Sequence, residues 1–220
     1  MNYITNGDTI IFAPSFNNEL DCQLLNNYKK IIFSNYVLDE SLFDAYANNN
    51  FKGLKYISSK FNKSVDYLSL IKSSITHLTF GSDFDQSVNN LPPTITHLTF
   101  SDDFNQSVDN FPSTITHLTF GYYSNFNQSV DNLPSSITHL TFGYYFNQLV
   151  DNLPSSITYL TFGIGFNKSL NNLPRLIEFI QLPEKYENKI LNIPKKLKVI
   201  KCFEKYKHIN DFVDLEVITY

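Results

Sequence analysis

The chain is poor in cysteine, with only Cys22 and Cys202 in 220 residues. Two thiols so far apart make no disulfide framework, so a reducing compartment is expected. Long apolar runs are missing as well. No stretch approaches the roughly 18 apolar residues of a membrane span, which excludes a transmembrane helix. The opening "MNYITNGDTIIF" has no basic flank followed by an apolar run, so no signal peptide is read there. A cytoplasmic protein is expected, and the Asn-x-Ser triplets at Asn62, Asn105, Asn127 and Asn167 are read as unglycosylated. Positive charge is absent from the middle: Ser73 through Asn167 contains no Lys or Arg, yet holds Asp83, Asp85, Asp102, Asp103, Asp109, Asp131 and Asp151. From Glu184 to Lys207 the balance reverses, with eight Lys against three Glu. A formal net charge of −4 with this layout excludes a general nucleic-acid binder and predicts an acidic middle and a basic end.

What the chain does have is repetition. "FNQSVDNLPSSITHLTFG", Phe126 to Gly143, has near-copies on both sides. The Ile that opens "ITHLTF" recurs at Ile75, Ile95, Ile115, Ile137 and Ile157, with weaker equivalents at Ile177, Leu197 and Leu215. The step is 20 residues except for one of 22, where extra residues surround Tyr123 and Ser124, and a last one of 18. A second column runs Phe61, Phe84, Phe104, Phe126, Phe146, Phe166, Tyr186, Tyr206. Within a unit, "ITHLTF" is β-branched and aromatic and reads as a strand. Alternation points Leu140 and Phe142 inward, and His139 and Thr141 outward. The prolines Pro92, Pro112, Pro134, Pro154, Pro174 and Pro194 cannot donate to a ladder and mark the turn before each strand. Phe126, Val130 and Leu133 supply the opposite wall. No perfect unit carries a helical stripe.

One short strand per 20 residues cannot close a core alone, so the units must stack. The predicted fold is a mainly β, right-handed repeat solenoid with a parallel sheet. About eight strands begin near residues 75, 95, 115, 137, 157, 177, 197 and 215, with Phe80, Phe100, Phe120, Phe142 and Phe162 as one internal column. Residues 1–60 read as an N-terminal cap with degenerate repeats, and residues 61–220 as the array. In the cap, "FNNEL" and "KKIIF" echo the repeat. "VLDESLFDAYANN" has helical spacing, with Leu38, Leu42, Phe43 and Tyr46 on one face. "GLKYIS" is expected to be a further strand leading into the array.

"FNQSVDNLPSSITHLTFG" resembles the FNIP repeat, a family abundant in social amoebae and giant DNA viruses. The resemblance runs from about Phe61 to Cys202 and is strongest in the five units between Phe61 and Phe162. It implies a leucine-rich-repeat-like fold, since "LPSSITHLTF" is similar to the short bacterial type of that repeat. The family analogy implies a protein-interaction role, with a partner in the host ubiquitin system. The Asn here follows the Phe (Asn127, Asn147) instead of following the strand, so the usual asparagine ladder is expected to be shifted or rebuilt. In giant viruses such repeats often follow an F-box, and no such pattern stands in "APSFNNELDCQLLNNY".

The candidate interaction face is the outward column of His77, His97, His117, His139 and Tyr159, beside Thr79, Thr99, Thr119, Thr141 and Thr161. The candidate rim is Tyr122, Tyr123, Tyr144 and Tyr145, which suits protein recognition. The alternative is a metal-binding or hydrolytic protein using the His ladder. Zinc needs a tetrahedral cluster, whereas a flat ladder offers two neighbouring imidazoles with no carboxylate or thiol beside them. A Ser-His-Asp site needs one asymmetric constellation, whereas here each member recurs in every rung. Hence no catalytic residue, metal or cofactor is assigned, and an unidentified protein is the expected partner, with neither nucleic acid nor membrane. The Asn, Asp and Gln columns are read as turn caps, and the C-terminal Lys cluster as keeping an exposed edge soluble. Repulsion between imidazolium ions is expected to hold the inner His97 and His117 neutral. In "LEVITY", Leu215, Ile218 and Tyr220 are placed in the Ile, Leu and Phe columns, and a weak two-fold homodimer through residues 212–220 is expected.

Overall fold

Each perfect unit leaves a proline turn before its strand begins. The Ile95 N–H donates to the Pro92 carbonyl at 3.2 Å, and Ile115, Ile137 and Ile157 repeat this on Pro112, Pro134 and Pro154. The next two N–H groups then reach back one rung: Thr96 and His97 both donate to the carbonyl of Thr76, at 2.9 and 3.0 Å. This forked bond starts the ladder and fixes the register. The result, in the computed structural model, which describes residues 2–70 and 75–220, is one sheet of eleven strands ordered as in the sequence. They are β1 (Tyr3–Asn6), β2 (Thr9–Phe12), β3 (Lys30–Phe33), β4 (His77–Thr79), β5 (His97–Phe100), β6 (His117–Phe120), β7 (His139–Thr141), β8 (Tyr159–Thr161), β9 (Phe179–Gln181), β10 (Val199–Cys202) and β11 (Glu216–Thr219). Only β1 and β2 pair antiparallel; from β2 to β11 every pairing is parallel. Among the described residues, helix is confined to α1 (Cys22–Leu25), α2 (Ser41–Asn48) and two short 3-10 turns. No helix among the described residues is long and apolar enough to cross a membrane.

Parallel pairing sets His97 against His117, Leu98 against Leu118 and Phe100 against Phe120. The core is therefore built of columns of like residues. Phe80, Phe100, Phe120, Phe142 and Phe162 are buried and stack at ring-centroid steps of 5.5 to 6.0 Å. The second column, from Phe61 to Phe166, faces the first. Phe80 lies 3.7 Å from Phe84, Phe100 lies 3.7 Å from Phe104, and Phe120 lies 3.9 Å from Phe126. On the return leg the expected asparagine ladder exists in rebuilt form. The Asn105 side-chain oxygen accepts the Asn127 N–H at 2.9 Å, Asn127 accepts that of Asn147 at 2.8 Å, and Asn147 that of Asn167 at 2.9 Å. It satisfies backbone donors that have no strand partner.

Two expectations need correction. "GLKYIS" is not a rung: β3 pairs directly with β4, and Tyr56 makes only an isolated antiparallel bridge to Tyr36. Its Lys55, Tyr56 and Ile57 are exposed, and only Leu54 is drawn in, against the Ile11, Ile32 and Leu42 cluster on the outward face. It closes an insertion whose helix α2 turns back over the outward face. There Leu42 packs on Ile11 and Ile32, flanked by Leu38, Phe43 and Tyr46. The second correction is at β11, where Val217 pairs with Ile200 in the inward leucine column and Ile218 pairs with Lys201 in the outward threonine column. The turn before β11 is shorter than in other units, so the register differs by one residue from the sequence alignment, which exchanges the faces. Ile218 stays 40% exposed, and the Tyr220 hydroxyl donates to the Leu182 carbonyl at 2.6 Å.

The turn after each strand is tight because successive rungs nearly touch there. A Cβ on Gly163 would overlap the Gly143 carbonyl oxygen, and one on Gly143 the Gly121 oxygen. On Gly121 it would meet Phe100 O at only 3.3 Å. We expect Gly163→Ala to lower stability by about 1–3 kcal/mol and Gly121→Ala to cost distinctly less. Denaturant unfolding of the two variants side by side checks this, and equal losses would contradict the close approach.

Candidate functional site

The outward side chains of β4 to β8 form the surface that the helix leaves open. In the first rungs its threonine column is filled by Ile11 and Ile32, which α2 covers. From β4 onward the column is Thr79, Thr99, Thr119, Thr141 and Thr161, all half-buried. Beside it His77, His97, His117 and His139 stack face to face at 4.1, 4.2 and 4.2 Å, with planes 10 to 13° apart. Tyr159 continues the stack at 4.5 Å and Phe179 at 5.8 Å. All five expected column residues thus come together in one aromatic stripe.

Each ring is anchored by the threonine before it. Thr96 Oγ1 lies 2.9 Å from His97 Nδ1 and 3.2 Å from the Thr76 carbonyl oxygen of the previous rung. Thr116 with His117 and Thr138 with His139 repeat the arrangement. Each imidazole is therefore held at Nδ1 by a threonine hydroxyl. Because the rings are parallel, neighbouring Nε2 atoms run side by side and do not meet at one point. No carboxylate hydrogen-bonds any of the four among the described residues. Likewise, no group of three or more His, Cys, Asp or Glu among them is placed to hold a metal ion.

All four imidazoles titrate below the usual histidine range. Burial within the stack is the largest cause in each, and repulsion from neighbouring imidazoles adds to it at His77, His97 and His117. His117 is lowered to about 4. His77 also feels Lys30, which lowers it further, and Asp8, which raises it. The sequence argument put repulsion first, but desolvation leads because each ring is covered by its neighbours.

The rim tyrosines lie at the turn after the strands. Tyr122 and Tyr123 are 60% and 66% exposed and meet edge to face at 4.8 Å. Tyr145 is exposed and Tyr144 half-buried, at 4.8 Å from each other. The sequence reading did not find the aromatic group facing Tyr122 and Tyr123 across this edge. Tyr36, Phe51 and Tyr56 come from the insertion after β3. The only signal was the long gap between Phe33 and Phe61.

Residues 87–123 and 126–165 match the family model described as FNIP Repeat. Among solved structures, the chain is similar to CroV588, a giant-virus protein whose crystal structure is described as a novel circular LRR protein. The TM-score is 0.64 at 28% identity, over 94% of this chain and 32% of that one. The chain thus spans about a third of that relative's length. No curated protein matches its sequence.

The stripe makes a pH prediction. A histidine whose folded pKa lies below its unfolded value of about 6.5 binds fewer protons folded than unfolded between the two. Stability is then full above the unfolded value and falls as pH drops through it. For His117 the fall continues to about pH 4, where the folded state protonates as well. Replacing His117 with Phe, which keeps the stack, should flatten this slope, and NMR titration of the native rings should show all four lowered. Four unshifted titrations, or an unchanged slope in the variant, would contradict the account.

Proposed function

We propose that this FNIP-repeat, leucine-rich-repeat-like protein is a non-enzymatic scaffold that presents the open face of its sheet, with the tyrosine rim, to a partner protein. The observation that carries this is the contrast along one face. Helix α2 seals the first rungs, while β4 to β8 leave an uncharged stripe of stacked imidazoles and threonine hydroxyls half in solvent. A rigid surface of neutral, hydrogen-bonding aromatic groups loses little side-chain entropy on binding. The exposed Tyr122, Tyr123, Tyr145 and Tyr159 belong to the residue type enriched at protein interfaces. FNIP and leucine-rich repeats are generally non-catalytic scaffolds, and the polar groups here recur rung after rung with no single activated nucleophile. Both cysteines are free thiols, which supports a reducing compartment such as the cytoplasm. The likeness to a giant-virus protein supports a host protein as the partner, in the host cytoplasm.

The test is affinity capture from the native cell with three baits. The unaltered protein should retain a partner, Thr141→Arg on the open face should lose it, and Leu149→Arg on the exposed return leg should keep it. Loss with Leu149→Arg and retention with Thr141→Arg would move the binding surface to the other side of the solenoid.

A further inference from the structure

Two turns of the solenoid break the repeat, and both lie at the same corner. After β2, β4, β5, β7 and β8 the second core Phe follows the strand's inward Phe by four residues. After β6 it follows by six, Phe120 to Phe126, and after β3 by 28, Phe33 to Phe61. The two enlarged corners flank two minimal ones, residues 81–83 and 101–103, and enclose a cleft of about 750 Å3. One wall is Tyr36 stacked on Phe51 at 4.7 Å, with Tyr56 edge-on to Tyr36 at 5.6 Å. The other is the Tyr122–Tyr123 pair. The carboxylate of Asp102 lies between them.

The floor's polar groups are joined in one hydrogen-bond network. Asn35 donates to Ser101 Oγ at 3.0 Å, while its carbonyl oxygen takes the N–H groups of Ser59 and Ser82 at 3.0 and 2.8 Å. Ser101 Oγ lies 3.1 Å from Asp102 Oδ1; Ser82 Oγ and the Tyr56 hydroxyl lie 3.0 and 3.1 Å from Oδ2. Asp102 is thus held by hydroxyls alone. Among the described residues no ammonium or guanidinium pairs with it, and Lys60, at this corner, is engaged by Asp83 at 3.0 Å. Negative charge here is in excess: the neighbouring Asp103 is pushed up by burial and by Asp83, Asp102 and Asp85.

We infer that this cleft takes an arginine side chain from an extended segment of the partner, its guanidinium lying against the tyrosine faces and paired with Asp102. A guanidinium is flat, donates only, and binds both aromatic faces and a carboxylate. It therefore suits walls that are aromatic and a carboxylate that no cation meets among the described residues. The inference narrows the function proposed above to one cleft and one kind of side chain.

The test uses the full chain and the peptide acetyl-Gly-Gly-Arg-Gly-Gly-amide, followed by NMR and calorimetry. The expected result is saturable binding that shifts the Tyr122 and Tyr123 ring signals. Replacing the Arg with citrulline, its neutral isostere, should weaken binding about tenfold, and Asp102→Asn should do the same. Because Asp102→Asn disturbs the floor network, the Tyr122→Ala, Tyr123→Ala double variant at exposed positions provides a second arm and should also weaken binding. Equal binding of the Arg and citrulline peptides would overturn the inference. So would no saturable shift at about 10 mM peptide, or binding indifferent to both variants. The probe needs no native partner, so its failure leaves the capture result standing. Normal Arg-peptide binding with no captured partner would instead sink only the broader reading.

Discussion

A strand of three or four residues cannot satisfy its own backbone, so each rung donates to the carbonyls of the rung before it, beginning with the forked bond from Thr96 and His97 to Thr76. Everything else in the molecule inherits this parallel, unstaggered pairing. Once Leu98 is opposite Leu118, Phe must meet Phe, imidazole must meet imidazole, and Gly143 must meet Gly121. Columns of identical residues are the price of the pairing, and each column has a chemistry that tolerates a copy of itself. Phenylalanine stacks, and glycine makes room. Asparagine accepts a backbone N–H from the rung ahead through its side chain while its own N–H is taken by the rung behind.

Ionisable residues are the hard case, because a charge repeated at strand spacing repels itself. The chain answers in two ways. Aspartates on the return leg are met by an amide of the next rung: Asn132 donates to Asp109 at 3.2 Å and Asn152 to Asp131 at 3.2 Å. The histidines are kept neutral by burial in their own stack, each held at Nδ1 by the hydroxyl of a threonine whose N–H is bound to the previous rung. The solvent-facing stripe is therefore fixed by the same backbone ladder that builds the core. At the minimal corner after β5, between the enlarged corners after β3 and β6, no such amide among the described residues meets the aspartate, and Asp102 is left with hydroxyls alone.

Most of the array was legible because periodicity alone carries it. The Ile, Phe and Pro columns locate every strand from β4 to β10, and alternation gives their faces. The helix was legible from Leu42, Phe43 and Tyr46, whereas Leu38 stands before its first turn and packs on the same cluster from there. Sequence reasoning failed where local pattern and long-range pairing disagree. "GLKYIS" alternates like a strand but lies in an insertion, and only the pairing of β3 with β4 reveals this. In "LEVITY" the hydrophobic positions fit two registers, and the short preceding turn decides between them. Of the site, the histidine and threonine columns followed from alternation. That burial leads in lowering the histidines needed the stacked rings themselves, and the cleft needed two corners brought together from residues 34–60 and 121–125.

The central claim is that the molecule is quasi-one-dimensional, with each rung interchangeable because it meets only its neighbours. Excising Gly143 to Phe162, one whole unit of the repeat, tests this most directly, since Phe142 then joins Gly163 with every column unbroken. Hydrogen exchange and thermal unfolding should show a folded, cooperative protein whose β3 to β6 amides keep their protection. Excising half as many residues from the same place should destroy protection in the rungs on either side. If removing the whole unit unfolds the chain as thoroughly as removing half of one, the rungs are not interchangeable and the account is wrong.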